Sequence, residues 1–390
     1  MFIPRNHRWR WALAALAALG IALRVGAVVR TWDQPPHTDM GSFSPTTLLP
    51  THPFDTSPRE PLFVWWMWLL AKVGVASTGA IRVATALWFL PNLFLTCALA
   101  RRVLGERATW GAATLFTVLP GQIVSDTVGL RHLLETTEIT GFLYFLIRSP
   151  GLEGRKTFAG AATAFAGAVL TRVSYASSGG ALLCLSALRS HRWRAIFAGL
   201  PAILLLGFHL ANNKSRNGDP FYSLNLHSYW FANLEFTGQP GFPANEEERL
   251  KNVFRKTLTY RQWAFQAHTP RQYAEGTATG YVRIFRDFYG KTYFRSGLPS
   301  AISWVLLGLF GGGLLCGLWR PEVRPLTLAL VVLIFPYAFV AHIFSAGRFF
   351  SPFTPLVLIL TSGAVQKAVT FLRARRGSLP LKKMAGKNVS

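Results

Sequence analysis

The chain has 390 residues, 51% of them hydrophobic, and a formal net charge of +24. Its mean hydropathy of +0.28 excludes an ordinary soluble domain and a disordered chain. The pI near 10.9 does not mean nucleic acid. Twenty-one of the 41 Lys and Arg fall in short loops or at the termini, with only Glu106, Glu153 and Glu322 beside them. That is the positive-inside pattern of a membrane protein, not a nucleic-acid footprint.

In chain order, apolar blocks of about 17–25 residues, long enough to cross roughly 30 Å of hydrocarbon, predict spans at 11–30, 80–100, 108–124, 130–147, 157–172, 175–189, 193–211, 297–319, 325–343 and 353–372. The first has the basic start of a signal peptide, but Arg24 interrupts it and no small-residue cleavage site follows, so it reads as an uncleaved helix. Loop 31–60 then carries Asp33, Asp39, Asp55 and Glu60, four of only seventeen acidic residues. The stretch 61–78, opening PLFVWWMWLLAK, holds Trp65, Trp66 and Trp68 and reads as a helix lying along the membrane surface. If it crossed, every later basic loop would be inverted. Lying flat, it leaves all basic loops on one side. The expectation is an all-α polytopic membrane protein with ten crossings, both termini cytoplasmic. Residues 1–211 form an N-terminal module whose outer loop is 31–79. Residues 212–296 form an extracytoplasmic subdomain with a helical stretch at 246–290. Residues 297–372 are the last helices, and 373–390 are a basic tail facing anionic lipid. Cys97, Cys184 and Cys316 lie in separate apolar blocks and read as small core residues.

Ionisable groups near a bilayer are costly and so suggest function. Asp39, in HTDMGSF, is the first candidate, as a general base or metal ligand. Asp33 and Asp55 read more simply as turn residues. Glu60 precedes Pro61, where a carboxylate favours a helix N-terminus; it could also face a site. Asp126 stands at the outer end of 108–124, opposite Asp39. Arg131, Glu135 and Glu138 share one helical face through spacings of four and three; His132 stands beside them. Arg172 and Arg348 lie at outer membrane ends, where charge statistics disfavour them but where a guanidinium can grip a phosphate. His342, six residues before Arg348, is an interfacial histidine or a substrate contact. No Walker loop, dinucleotide fingerprint, HExxH or CxxC occurs.

Several segments in this order resemble a family: a carboxylate loop after the first helix, REPLF (59–63), ARRVLGER (100–107), LTR (170–172), NGDPFYSLN (217–225) and GRFFSPFTPLVLIL (347–360). Together they look like the GT-C glycosyltransferases, nearest the bacterial protein O-mannosyltransferases and lipid A aminoarabinose transferases. The resemblance implies a GT-C-like helical bundle in a bacterial inner membrane. It implies a sugar donor on polyprenyl phosphate and transfer on the outer face to a protein, lipid or polysaccharide. It assigns the catalytic base to Asp39, a second carboxylate to Asp126 or Glu135, and the donor phosphate to Arg348. Many members carry Asp-Glu where this chain has Asp39-Met40. A Mg²⁺ or Mn²⁺ held by Asp39 and Asp126 is compatible with oxygen ligands, though arginine can neutralise phosphate without metal. The rival readings are a glycan ligase or polymerase, a transporter or flippase, and a non-catalytic assembly factor. No internal repeat supports a transporter.

Overall fold

The computed structural model describes residues 7–32, 53–54, 56, 59–75, 77–251, 257–287, 300–343 and 350–377. Among these the regular structure is helical and contains no strand. In chain order the helices are α1 (His7–Arg30), α2 (Pro61–Lys72), α3 (Thr78–Ala86), α4 (Phe89–Leu104), α5 (Glu106–Val118), α6 (Pro120–Thr127), α7 (His132–Arg148), α8 (Arg155–Thr171), α9 (Tyr175–Ser190), α10 (Arg194–Phe197), α11 (Leu200–Asn217), α12 (Tyr222–Glu235), α13 (Glu246–Lys251), α14 (Tyr260–Phe265), α15 (Pro270–Asp287), α16 (Ser300–Trp319), α17 (Arg324–Ala341) and α18 (Thr354–Gly377). Each predicted span has a helix, or two helices end to end, over matching residues. Among the described residues five stretches are long and apolar enough to cross a membrane: Trp9–Arg30, Thr78–Leu104, Arg194–Asn217, Arg324–Ala341 and Ser351–Arg373. The fold is an all-α, multi-pass membrane bundle.

Local chemistry sets the breaks. Gly105 joins α4 to α5 at φ +82° and Gly74 ends the α2 region at φ +83°, a conformation glycine adopts without Cβ strain. The predicted surface helix therefore stops at Lys72 instead of reaching 78. Pro120 opens α6 after an extended Leu119, which splits the span predicted at 108–124. α2 lies against the bundle: Phe63, Val64, Met67 and Leu70 pack with Ile81, Leu130 and Leu134, while Trp65, Trp66 and Trp68 stay partly exposed.

Small residues bring the helices close, as membrane bundles require. A Cβ at Gly179 would overlap the Phe165 ring, and one at Gly280 would overlap the Ala338 backbone. The second contact belongs to α15, inside the segment expected to be an outer subdomain. Its second half enters the bundle instead. Tyr281 donates to the Val331 carbonyl at 2.7 Å, Ile284 is buried, and the Phe285 ring packs tilted against Phe310.

Arg24, the oddity of the first span, has a structural cause. It forms a salt bridge with Asp126 at 2.6 Å. It also donates to the carbonyls of Gly20, Thr117 and Phe116, with its guanidinium 3.8 Å from the Phe89 ring centre. Gln122 donates to the other Asp126 oxygen at 2.6 Å. Only 1% of Arg24 and 2% of Asp126 is exposed, so the pair is sealed and bolts α1 to α5 and α6. Breaking a buried pair from one side leaves a lone charge, whereas replacing both sides does not. Arg24→Leu and Asp126→Leu are each expected to cost about 3–5 kcal/mol, and the double substitution much less than their sum. Unfolding of the purified protein in detergent measures this cycle.

Candidate functional site

Helix ends build the site. Glu60 is the N-cap of α2 and Pro61 begins it; the Glu60 side chain makes no capping hydrogen bond. It instead reaches Arg131, the residue preceding α7, at 2.5 Å. Arg131 also donates to the Thr171 carbonyl at 3.1 Å, which ties it to the end of α8. The next residue, Arg172, caps α8 and grips Glu135 with two nitrogens at 2.9 and 3.3 Å. Tyr175, in the first turn of α9, donates its hydroxyl to Glu135 at 2.5 Å. The Arg172 guanidinium also lies 5.2 Å from the Tyr337 ring centre, and the Tyr337 and Ser174 hydroxyls are 2.7 Å apart. Four helix ends and α17 thus converge on two crossed Arg–Glu pairs.

These groups wall a cavity of about 290 Å³ whose lining includes Glu60, Arg131, Arg172, Ser174, Ser177, His227 and Tyr337. Glu60 and Glu135 balance the two guanidiniums, but Arg131 and Arg172 still border the cavity, where guanidinium N–H groups and serine hydroxyls can hydrogen-bond the oxygens of an anionic ligand. Burial opposes ionisation of Glu60, but Arg131 foremost, then His227 and Arg172, overcome it and hold its carboxyl down at about 2. Burial also pushes His227 below the usual histidine range.

An apolar groove of about 1130 Å³ begins nearby. Its lining includes Leu62 and Leu170, each two residues from a cavity residue, and continues past Trp66, Gly141, Phe145 and Phe158. Glu138 is on its wall and accepts a hydrogen bond from Thr171 at 2.7 Å.

The sequence candidates divide accordingly. Glu60, Arg131, Glu135 and Arg172 come together. The residues expected to share one face take partners from other helices: Arg131 joins Glu60, Glu135 joins Arg172, and Glu138 turns to the groove. Asp126 is held by Arg24 and Gln122 and does not line the cavity. His342 does not line it either; its Nε2 lies 3.2 Å from Glu235, which His268 also contacts at 2.8 Å and to which Trp263 donates. Asp33, Asp39, Asp55 and Arg348 lie outside the described residues. Sequence reasoning missed Tyr175, Tyr337 and His227. Tyr175 stands three residues after Arg172, one turn away, and that spacing was the available signal. With both Asp126 oxygens engaged, that residue does not fit the expected metal-binding role, and no group of three His, Cys, Asp or Glu suited to a metal occurs among the described residues.

No protein-family model and no curated protein matches the sequence. Among solved structures, the chain is similar to the archaeal oligosaccharyltransferase AglB from Archaeoglobus fulgidus, determined with an inhibitory peptide and a dolichol-phosphate. The TM-score is 0.50 at 13% identity, over 95% of this chain and 52% of that one. The chain therefore spans about half the length of that neighbour, and the likeness is one of fold.

Glu60→Gln is expected to lower stability by about 3–5 kcal/mol, with part recovered when Arg131→Gln is added. Because the folded Glu60 carboxyl is depressed to about 2, its contribution is fully present above the ordinary carboxylate range and fades as pH falls through the folded value. The stability gap between wild type and Glu60→Gln should hold constant from about pH 5 to 8 and narrow below about pH 4. Denaturation profiles in detergent across that range check both expectations.

Proposed function

We propose that the protein is a membrane glycosyltransferase that moves a sugar from a polyprenyl-phosphate donor to an acceptor on the extracytoplasmic face. The observation that carries this reading is the double-arginine cavity beside a long apolar groove. A lipid phosphate needs both: cationic donors for its head and an apolar channel for its chain. The fold shared with an oligosaccharyltransferase supports the same reading, since that protein was determined with a dolichol-phosphate and a peptide.

In the proposed reaction an acceptor nucleophile, written here as a hydroxyl, attacks the anomeric carbon. The bond from that carbon to the phosphate oxygen breaks, and polyprenyl phosphate leaves with the electron pair. Asp39 takes the hydroxyl proton as general base. Arg172 and Arg131, joined by Arg348, stabilise charge gathering on the leaving phosphate. Glu60 and Glu135 orient the guanidiniums, and Tyr175 steadies Glu135. Asp126 is assigned to the Arg24 bolt and not to the chemistry. His342 belongs to the Glu235 cluster, which anchors α12 to the end of α17 beside the segment that carries Arg348.

The test is transfer from a labelled polyprenyl-phosphate sugar by the reconstituted protein. Mass spectrometry of glycolipids and glycoproteins from membranes with and without the protein identifies donor and acceptor. Asp39→Asn is expected to slow transfer by a factor on the order of 10²–10⁴ while melting like wild type, and Arg172→Gln or Arg348→Ala to weaken donor use. Full transfer by Asp39→Asn would remove that residue from the mechanism. Unchanged membrane glycans in the absence of the protein would overturn the reading itself.

A further inference from the structure

A second cavity lies at the other end of the bundle. α17 runs from the turn at 320–323 to Tyr337 at the first cavity, so that turn marks the far end. α18 runs the opposite way to Gly377, entered through a short turn at Ser351, which touches Ser125. Between them and the end of α4 is a space of about 770 Å³. Its walls carry two cations, Arg320 and Lys367, and the apolar Val103, Leu104 and Phe371.

Glycines pack the helices closely just before this space. Gly313 of α16 sits against the Leu360 backbone, Gly317 against Thr327, and Gly363 of α18 against Leu104. Beyond these contacts the chain changes from glycine to Arg320 and Lys367. Among the described residues neither cation forms an ion pair with a carboxylate, Glu322 on the same wall included. Gln366 adds a side-chain amide on α18, and the Thr370 hydroxyl one turn on, which donates to the Gln366 carbonyl at 2.8 Å, adds an acceptor. Next in sequence to the lining residues Arg320 and Phe371, Trp319 is 75% exposed and Leu372 is 59% exposed, apolar surface of the kind an acyl chain covers.

We propose that this cavity is a binding site for an anionic phospholipid of the leaflet opposite the sugar-transfer site. Arg320 and Lys367 take the phosphodiester, Gln366 and Thr370 the polar head, and Leu104 and Phe371 the first carbons of a chain. A free phosphate ion would use the cations but leave the apolar wall in water. Basic pockets between helices at a cytoplasmic membrane face are suited to such head groups. The site is separate from the transfer chemistry and stands or falls without it.

The test uses the full chain in detergent, titrated with phosphatidylglycerol, phosphatidylcholine or inorganic phosphate. Retained lipid is counted by native mass spectrometry and thermal stability is followed. Phosphatidylglycerol is expected to be retained at least about tenfold over phosphatidylcholine (a difference of about 1.4 kcal/mol) and to raise the melting temperature, with inorganic phosphate ineffective. Arg320→Gln, Lys367→Gln and their combination should reduce that preference stepwise. The matched control Arg148→Gln with Arg155→Gln removes equal charge elsewhere and should keep it. Equal retention of both lipids, full retention by the double variant, loss in the control alone, or stabilisation by phosphate alone would each overturn the proposal. The cations are not in the core, so the single variants remain informative even if the double variant folds poorly.

Discussion

The Arg172–Glu135 bridge is the interaction on which the site's geometry rests. It joins the end of α8 to the first turn of α7, and Tyr175 fastens it to α9. Its neighbour, Arg131–Glu60, joins the start of α7 to the start of α2. A charge buried among apolar helices is costly unless it is paired and hydrogen-bonded. The crossed pairs meet that cost and fix four helix ends at one point. An opening survives there because the ends of helices, not their packed middles, meet.

Arg24–Asp126 shows the contrast. There the same chemistry closes on itself: the guanidinium meets a carboxylate and three carbonyls, and almost nothing is exposed. Such a pair holds helices and offers a ligand no surface. Arg131 and Arg172 are also paired, yet they border a cavity with serine hydroxyls and His227 on its wall. Access, more than charge, separates a bolt from a candidate site.

The helices of the bundle were legible in the sequence, because a long apolar run is a constraint that acts residue by residue. Every expected span has its helices. The breaks inside spans were harder to read: Pro120 was visible, but its effect depends on a Leu119 conformation that sequence alone does not state. Ion pairing was the least legible. Spacing placed Arg131, Glu135 and Glu138 on one face of a helix, but Arg131 precedes α7 and turns to Glu60, seventy-one residues away. The partner of Glu135 came from another helix end. Long-range partners carry no local signature, and the Asp126 reading failed to anticipate Arg24 for the same reason. Likewise α15 looked polar enough for an outer loop, while Gly280, Tyr281, Ile284 and Phe285 gave it a face that packs into the bundle.

In the proposed function the arginine-walled cavity of about 290 Å³ and the apolar groove form one lipid-phosphate site. An experimental structure of the full chain with a polyprenyl phosphate bound tests that most directly. The expected result is a phosphate within hydrogen-bonding reach of Arg172 and Arg131, with the isoprenoid chain running past Trp66 and Phe158. A phosphate seated away from both arginines, or a chain leaving by another face of the bundle, would contradict it.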